Sequence, residues 1–249
     1  MKKKTSLIII SIAALVVLVA FGIYSLRRSS AQGALAVRIA EMGSGGAPPE
    51  TIEGLKSAIA TYENRIEGYI KEAAQAGIYW KILAVRLMDR NMYGEALKAL
   101  ERAVQYFPED STLHYLTGLS AGVLAKSDPN FLGLSTNVGR ERLFALSESA
   151  YLRAIALDER YVRPLYGLAV LYVFELDKPE AAVPHLLRYL QLRSNDVDAL
   201  FILARAYYMS GDFKNAVDSY DKIIASTRDS GKKAEAENNK KTVLGEMYE

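Results

Sequence analysis

Residues 80–108 read WKILAVRLMDRNMYGEALKALERAVQYFP, and their spacing decides the fold. Trp80, Leu83, Ala84 and Leu87 repeat at three and four residues, as one face of a helix does. Arg90-Asn91 interrupts the pattern, Ala96, Leu100 and Ala103 resume it, and Pro108 closes it. The frame then recurs. Leu200, Leu203, Ala204 and Tyr207 are followed by Ala216, Tyr220 and Ile223, and Leu165, Leu168, Ala169 and Tyr172 by Ala182, Leu186 and Tyr189. Self-similarity at a fixed period means one supersecondary unit stacked on copies of itself. Each unit is a pair of antiparallel helices. Arg90-Asn91, Gly211-Asp212 and Asp177-Lys178-Pro179 turn the chain between them.

Over about residues 77–230 this pattern resembles the tetratricopeptide-repeat (TPR) family, whose scheme is W-x2-L-G-x2-Y, then A-x3-F, then P. Ala84 stands where the scheme has glycine. The resemblance implies an all-α, right-handed solenoid. A degraded unit lies between the first two frames, with His114, Thr117 and Gly118 in the first helix and Tyr151 and Ala154 in the second. Ala103 and Ala154 lie 51 positions apart, 17 more than one 34-residue period. The excess falls near 125–141, a segment containing Asp128-Pro129-Asn130, Gly133 and Gly139, which reads as a surface loop inserted between the two helices. Phe131 and Leu132 at its centre make it a possible contact loop. The expected organisation is repeat 1 over 77–110, repeat 2 over 111–161, repeat 3 over 162–196 and repeat 4 over 197–230. A capping helix would precede them over 50–76 and another follow over 231–249.

The N-terminal cap is expected from Ile52, Leu55, Ile59, Tyr62, Ile66 and Tyr69, an apolar stripe on one long helix. Such a stripe covers the neighbouring repeat or pairs with a second copy over three heptads; the covering role is the expected one, with the oligomeric state left open. In the C-terminal cap, Ala236, Val243, Leu244 and Met247 share a face against a Lys/Glu/Asn-rich opposite side.

Further out, Lys2, Lys3 and Lys4 precede an apolar run from Leu7 to Leu26, closed by Arg27 and Arg28. Twenty residues at about 1.5 Å each span the roughly 30 Å hydrocarbon core of a bilayer. A cleaved signal has an apolar region of only about 7–15 residues. Residues 1–28 are therefore expected to be a cytoplasmic tip and an uncleaved single-pass transmembrane anchor, and the Gly/Ser/Pro-rich residues 29–49 a flexible spacer. The basic excess before the span favours a cytoplasmic N-terminus and a domain facing the periplasm or exterior of a bacterial inner membrane. In general character the chain resembles membrane-anchored TPR proteins of double-membraned bacteria such as spirochaetes.

The 249 residues contain 31 Lys/Arg and 29 Asp/Glu. Five of those bases and no acid lie in residues 1–28, so beyond them 26 bases face 29 acids, a net charge near −3. The basic balance thus belongs to the anchor's flanks, and no nucleic-acid partner is expected. The absence of cysteine rules out a disulfide framework and thiolate metal sites. His114 and His185, the only histidines, fall in different repeats at helix-packing positions, and no phosphate loop, nucleophile elbow or HExxH motif occurs. No enzyme, metal or cofactor is expected.

What the pattern leaves is a surface. In the TPR family the first helices of successive repeats line a concave groove. The matching positions here are Lys81, Val85 and Met88; Tyr115, Leu119 and Gly122; Tyr166, Val170 and Val173, with Phe174 adjacent; and Phe201, Arg205 and Tyr208. A mostly aromatic and aliphatic lining points to contact with an apolar helix or extended peptide. The clamp with which some TPR proteins grip acidic C-terminal tails is not matched: Val85 stands where it needs Asn, and Tyr115 and Tyr166 replace its polar groups. The resemblance implies a membrane-tethered interaction scaffold for envelope assembly. The alternative is a transport accessory binding a small hydrophobic ligand in the groove.

Overall fold

The computed structural model describes residues 51–247, and every regular element among them is a helix. The chain divides into two compact units, Met1–Ile66 and Glu67–Glu249. Of the first unit only residues 51–66 are described, the opening turns of α1 (Ile52–Asp89). The second contains the rest of α1 and α2 (Tyr93–Tyr106), α3 (Ser111–Ser127), α4 (Thr136–Leu157), α5 (Val162–Phe174), α6 (Pro179–Leu192), α7 (Val197–Met209), α8 (Phe213–Ser226) and α9 (Ser230–Met247). The anchor and spacer expected over 1–49 lie outside the described residues. Among the described residues, no helix is long and apolar enough to cross a membrane.

Local chemistry sets the helix ends. Asp110, Asp196 and Asp212 accept hydrogen bonds from the free amide N–H groups opening α3, α7 and α8. Pro179 opens α6, where its missing N–H costs nothing. The three tight turns within repeats each put one residue in the left-handed region: Asn91 (φ 60°), Asp177 (φ 51°) and Gly211 (φ 72°). These are the turns expected from the sequence.

Helices pair as α1/α2, α3/α4, α5/α6 and α7/α8, and α9 packs on α8. Small residues set the close approaches. Ala84, Ala96, Ala103, Ala154, Ala169, Ala182, Ala204 and Ala216 are all fully buried. Tyr151 shows the logic best. Its ring lies between α3 and α5, and a Cβ added at Gly118 or Gly167 would come within 2.7 or 2.8 Å of it. Burial pushes the ionisation of its hydroxyl well above that of a free tyrosine. Ser147 on the same helix donates its hydroxyl to the Gly118 carbonyl at 2.7 Å.

The insertion departs from expectation. The loop expected over 125–141 is confined to its centre, and its flanks, 125–127 and 136–141, are helical. α3 has 17 residues and α4 has 22, against 13 in α5 and α7 and 14 in α2, α6 and α8. Only residues 128–135 connect α3 to α4. Gly139 is helical and buried, with the Pro129 carbonyl where its Cβ would be. The extra residues extend two existing hydrogen-bond ladders, which satisfies their backbone groups without a long loop.

Two features at the chain's ends also differ. α1 runs unbroken past residue 77, because the Ala-rich stretch 73–76 contains no helix breaker. Its stripe is exposed, from 41% at Tyr62 to 69% at Tyr69. In α9, Ala236 and Val243 are buried as expected, whereas Met247 is exposed.

Candidate functional site

First helices of successive repeats approach one another, α3 against α5 and α5 against α7, while no comparable set of contacts joins successive second helices among the described residues. The second unit therefore curves with α3, α5 and α7 on its inner side. Most of the groove positions expected from the sequence fall on this side, but they differ in what they can offer.

At the N-terminal end, Lys81 is engaged. Its Nζ lies 2.6 Å from Asp110 Oδ2, tying α1 to the cap of α3. Burial alone would raise the Asp110 carboxyl; Lys81 and the Thr112 and Leu113 amides outweigh it and hold the carboxyl below the usual range. Val85 is exposed and Met88 half-buried. Tyr115 is half-buried and stacks on Tyr151 and, edge-on, on Tyr161, with centroids 6.1 and 5.4 Å away. Tyr166 leans on Tyr189, whose hydroxyl donates to Asp196 at 2.7 Å. Burial and that carboxylate push the Tyr189 hydroxyl up to about 12. These two aromatics brace the repeat junctions as well as facing the groove. Val173 is a correction: it is only 3% exposed, and its neighbour Phe174 takes the outward position. Leu119, Gly122 and Val170 line a small cavity of about 170 Å³ whose rim carries the Lys126–Glu175 ion pair at 2.8 Å.

The C-terminal half is more open. Phe174, Phe201, Arg205 and Tyr208 converge on a cavity of about 420 Å³. The Arg205 guanidinium lies 5.0 Å over the Phe174 ring, and Phe201 meets Tyr220 edge-on. The opposite wall comes from α9: Glu235, Asn239, Thr242 and Val243. The Tyr208 hydroxyl donates to Glu246 at 2.8 Å, fixing α9 against α7. One reading the sequence allows is that the chain's own terminal helix fills the groove, and α9 does wall its C-terminal end, through positions 235, 239 and 242 of one face.

On the convex side, Phe131 and Leu132 roof a cavity of about 570 Å³ between α2 and α4, floored by Leu97 and Leu143. Phe131 is not exposed as expected: its ring lies against Gly94, which has no Cβ to obstruct it, and under the Lys98 ammonium. Leu132 does face solvent. The histidines are packed. His114 Nε2 lies 2.8 Å from the Pro108 carbonyl, and His185 stacks near Tyr172, with burial and then Arg188 holding its pKa below the usual value. Among the described residues no three His, Asp or Glu side chains come together to hold a metal.

The sequence profile of the Tetratricopeptide repeat family matches residues 83–121 and 170–231. A TPR repeat-containing protein of Borreliella burgdorferi is 24% identical over 210 residues, which make up 84% of this chain and 86% of that protein. YrrB, a TPR protein described as having an unusual peptide-binding site, superposes with a TM-score of 0.58 at 18% identity, over 73% of this chain and 83% of that one. A mutant form of MamA gives a TM-score of 0.53 at 19% identity, over 69% of this chain and 83% of that one. At these identities the solved structures speak for the fold alone.

Proposed function

The chain is a tetratricopeptide-repeat protein, and from that premise we propose that its C-terminal groove holds a segment of a partner protein. TPR domains generally act as interaction scaffolds rather than catalysts. The observation carrying this reading is the cavity lined by Phe174, Phe201, Arg205 and Tyr208 with the polar face of α9 opposite. An extended peptide needs apolar pockets for its side chains and polar groups for its backbone, and this site offers both. The aromatic rings supply the first. Asn239, Thr242, Arg205 and Glu235 supply donors and acceptors. That YrrB is described as binding a peptide supports the reading.

The cavity's volume also suits a small apolar ligand, for which sites of about 300–1,000 Å³ are usual. The polar α9 wall favours a peptide. We further propose that residues 7–26 anchor the domain in a bacterial inner membrane with the N-terminus cytoplasmic, so that the groove works as a tethered scaffold for envelope assembly.

The test is recovery of partners by the full chain from membranes of its own host, wild type against Phe174→Ala/Arg205→Ala. Both residues are exposed, so the fold should stand. Loss of a specific co-purifying protein supports the groove; unchanged recovery refutes it.

A further inference from the structure

The two ends of the second unit are finished differently. At the C-terminal end α9 covers α8 and turns a Lys/Glu/Asn-rich side outward. The N-terminal end has no such cover among the described residues. In every later repeat, the face of the first helix that looks back along the array packs on the preceding second helix: α3 on α2, α5 on α4, α7 on α6. The buried residues there are Leu113 and Ser120 in α3, Pro164, Leu168 and Leu171 in α5, and Ala199, Leu203 and Ala206 in α7. In the repeat frame, the same positions on α1 are Tyr79, Leu83 and Arg86, with Ile82 beside them. Tyr79 is 63% exposed, Ile82 50% and Leu83 43%. A face built for a helix therefore has no helix on it among the described residues.

We propose that this face docks a second copy of the chain, α1 against α1 and antiparallel, with Tyr79 at the two-fold axis. The charge pattern selects this occupant. Glu72 and Arg86 lie seven residues to either side of Tyr79, two helical turns each way, on the same face. An antiparallel two-fold through Tyr79 sets Arg86 of one copy opposite Glu72 of the other, twice over. A parallel arrangement would instead set like charges side by side. Within one copy Arg86 has only a local ion-pair partner among the described residues, Asp89 at 3.8 Å. An isologous interface needs one self-complementary patch, and this patch is one. The apolar residues between the charges supply the burial, and the outer pairs fix direction and register.

The chain has no cysteine, so one introduced thiol reports unambiguously. The full chain carrying Tyr79→Cys is oxidised in the membranes of the cells that produce it, with Glu101→Cys on α2 as the control. Dimer-sized disulfide product is expected from Tyr79→Cys and not from the control. Adding Glu72→Arg or Arg86→Glu should lower the yield at least five-fold, and adding both should restore it. Absence of the product overturns the proposal, and means that the face takes a different helix or a segment of its own chain. A yield that ignores the single reversals, or that the double reversal does not restore, overturns it equally. Circular dichroism of each variant confirms that the helices persist.

Discussion

Replacing Gly118 by alanine sets two effects against each other. In a helix interior, alanine is favoured over glycine by about 1 kcal/mol. Here, however, the new methyl would lie 2.7, 2.9 and 3.0 Å from Cδ1, Cε1 and Cγ of Tyr151. The ring cannot retreat, because a Cβ on Gly167 would already be 2.8 Å from its far edge. Overpacking a buried site of this kind costs about 1–3 kcal/mol. Gly118→Ala should therefore destabilise by about 1 kcal/mol net. At an m-value of about 2 kcal/mol/M, the urea midpoint then falls by about 0.5 M. Gly68→Ala is the internal control. It is also helical but has nothing within 4 Å of its Cβ position, so it should raise the midpoint. In a Tyr151→Leu background the Gly118→Ala penalty should vanish, a coupling of about 1–3 kcal/mol. The assay is urea unfolding followed by far-ultraviolet circular dichroism. If Gly118→Ala stabilises as much as Gly68→Ala, the clamp on Tyr151 is refuted.

Three further outcomes follow from the packing. His185 is held neutral by burial, so its folded pKa lies below its unfolded value near 6.5, and its protonation favours the unfolded chain. Stability should fall as pH drops from 6.5 towards 5, and His185→Gln should flatten that slope in urea midpoints. Asp110 has the opposite chemistry. Its depressed carboxyl contributes stability above about pH 3.8 that is lost as pH falls through the lower folded value. Lys81→Met should cost about 1 kcal/mol at pH 7, and the difference from wild type should shrink by pH 2.5. Phe131→Ala should loosen 128–135 by about 1 kcal/mol, roughly five-fold faster hydrogen exchange there, leaving α5 to α8 unchanged.

The sequence carried the fold because each repeat position has a steric job that few residues can fill. Ala84, Ala169 and Ala204 mark close helix approaches, and Asn91, Asp177 and Gly211 mark left-handed turns; all were readable from spacing. The loop in the insertion is shorter than expected because Gly139 looks like a loop residue but is helical. Its pairing with Pro129, glycine backbone against proline carbonyl, depends on how two helix ends meet in space. The groove was readable as a set of positions but not as a surface. Tyr115 and Tyr166 carry the right spacing, yet they stack on Tyr161 and Tyr189, contacts that a single sequence does not reveal. Lys81 sits at a groove position by spacing, yet Asp110, 29 residues away, engages it. The exposed face of α1 was invisible for a different reason. Tyr79 and Leu83 match buried residues elsewhere, and only their exposure, with no helix packed on them among the described residues, distinguishes them.

Site-specific photo-crosslinking tests the central claim most directly. A photoreactive phenylalanine is placed singly at Phe174 or Phe201 in the groove, or at Leu132 or Leu146 on the convex side, in full chains produced in their own host. The account predicts adducts to the same partner protein from Phe174 and Phe201 and none from the convex pair. Adducts to a partner from Leu132 and Leu146 alone would contradict it.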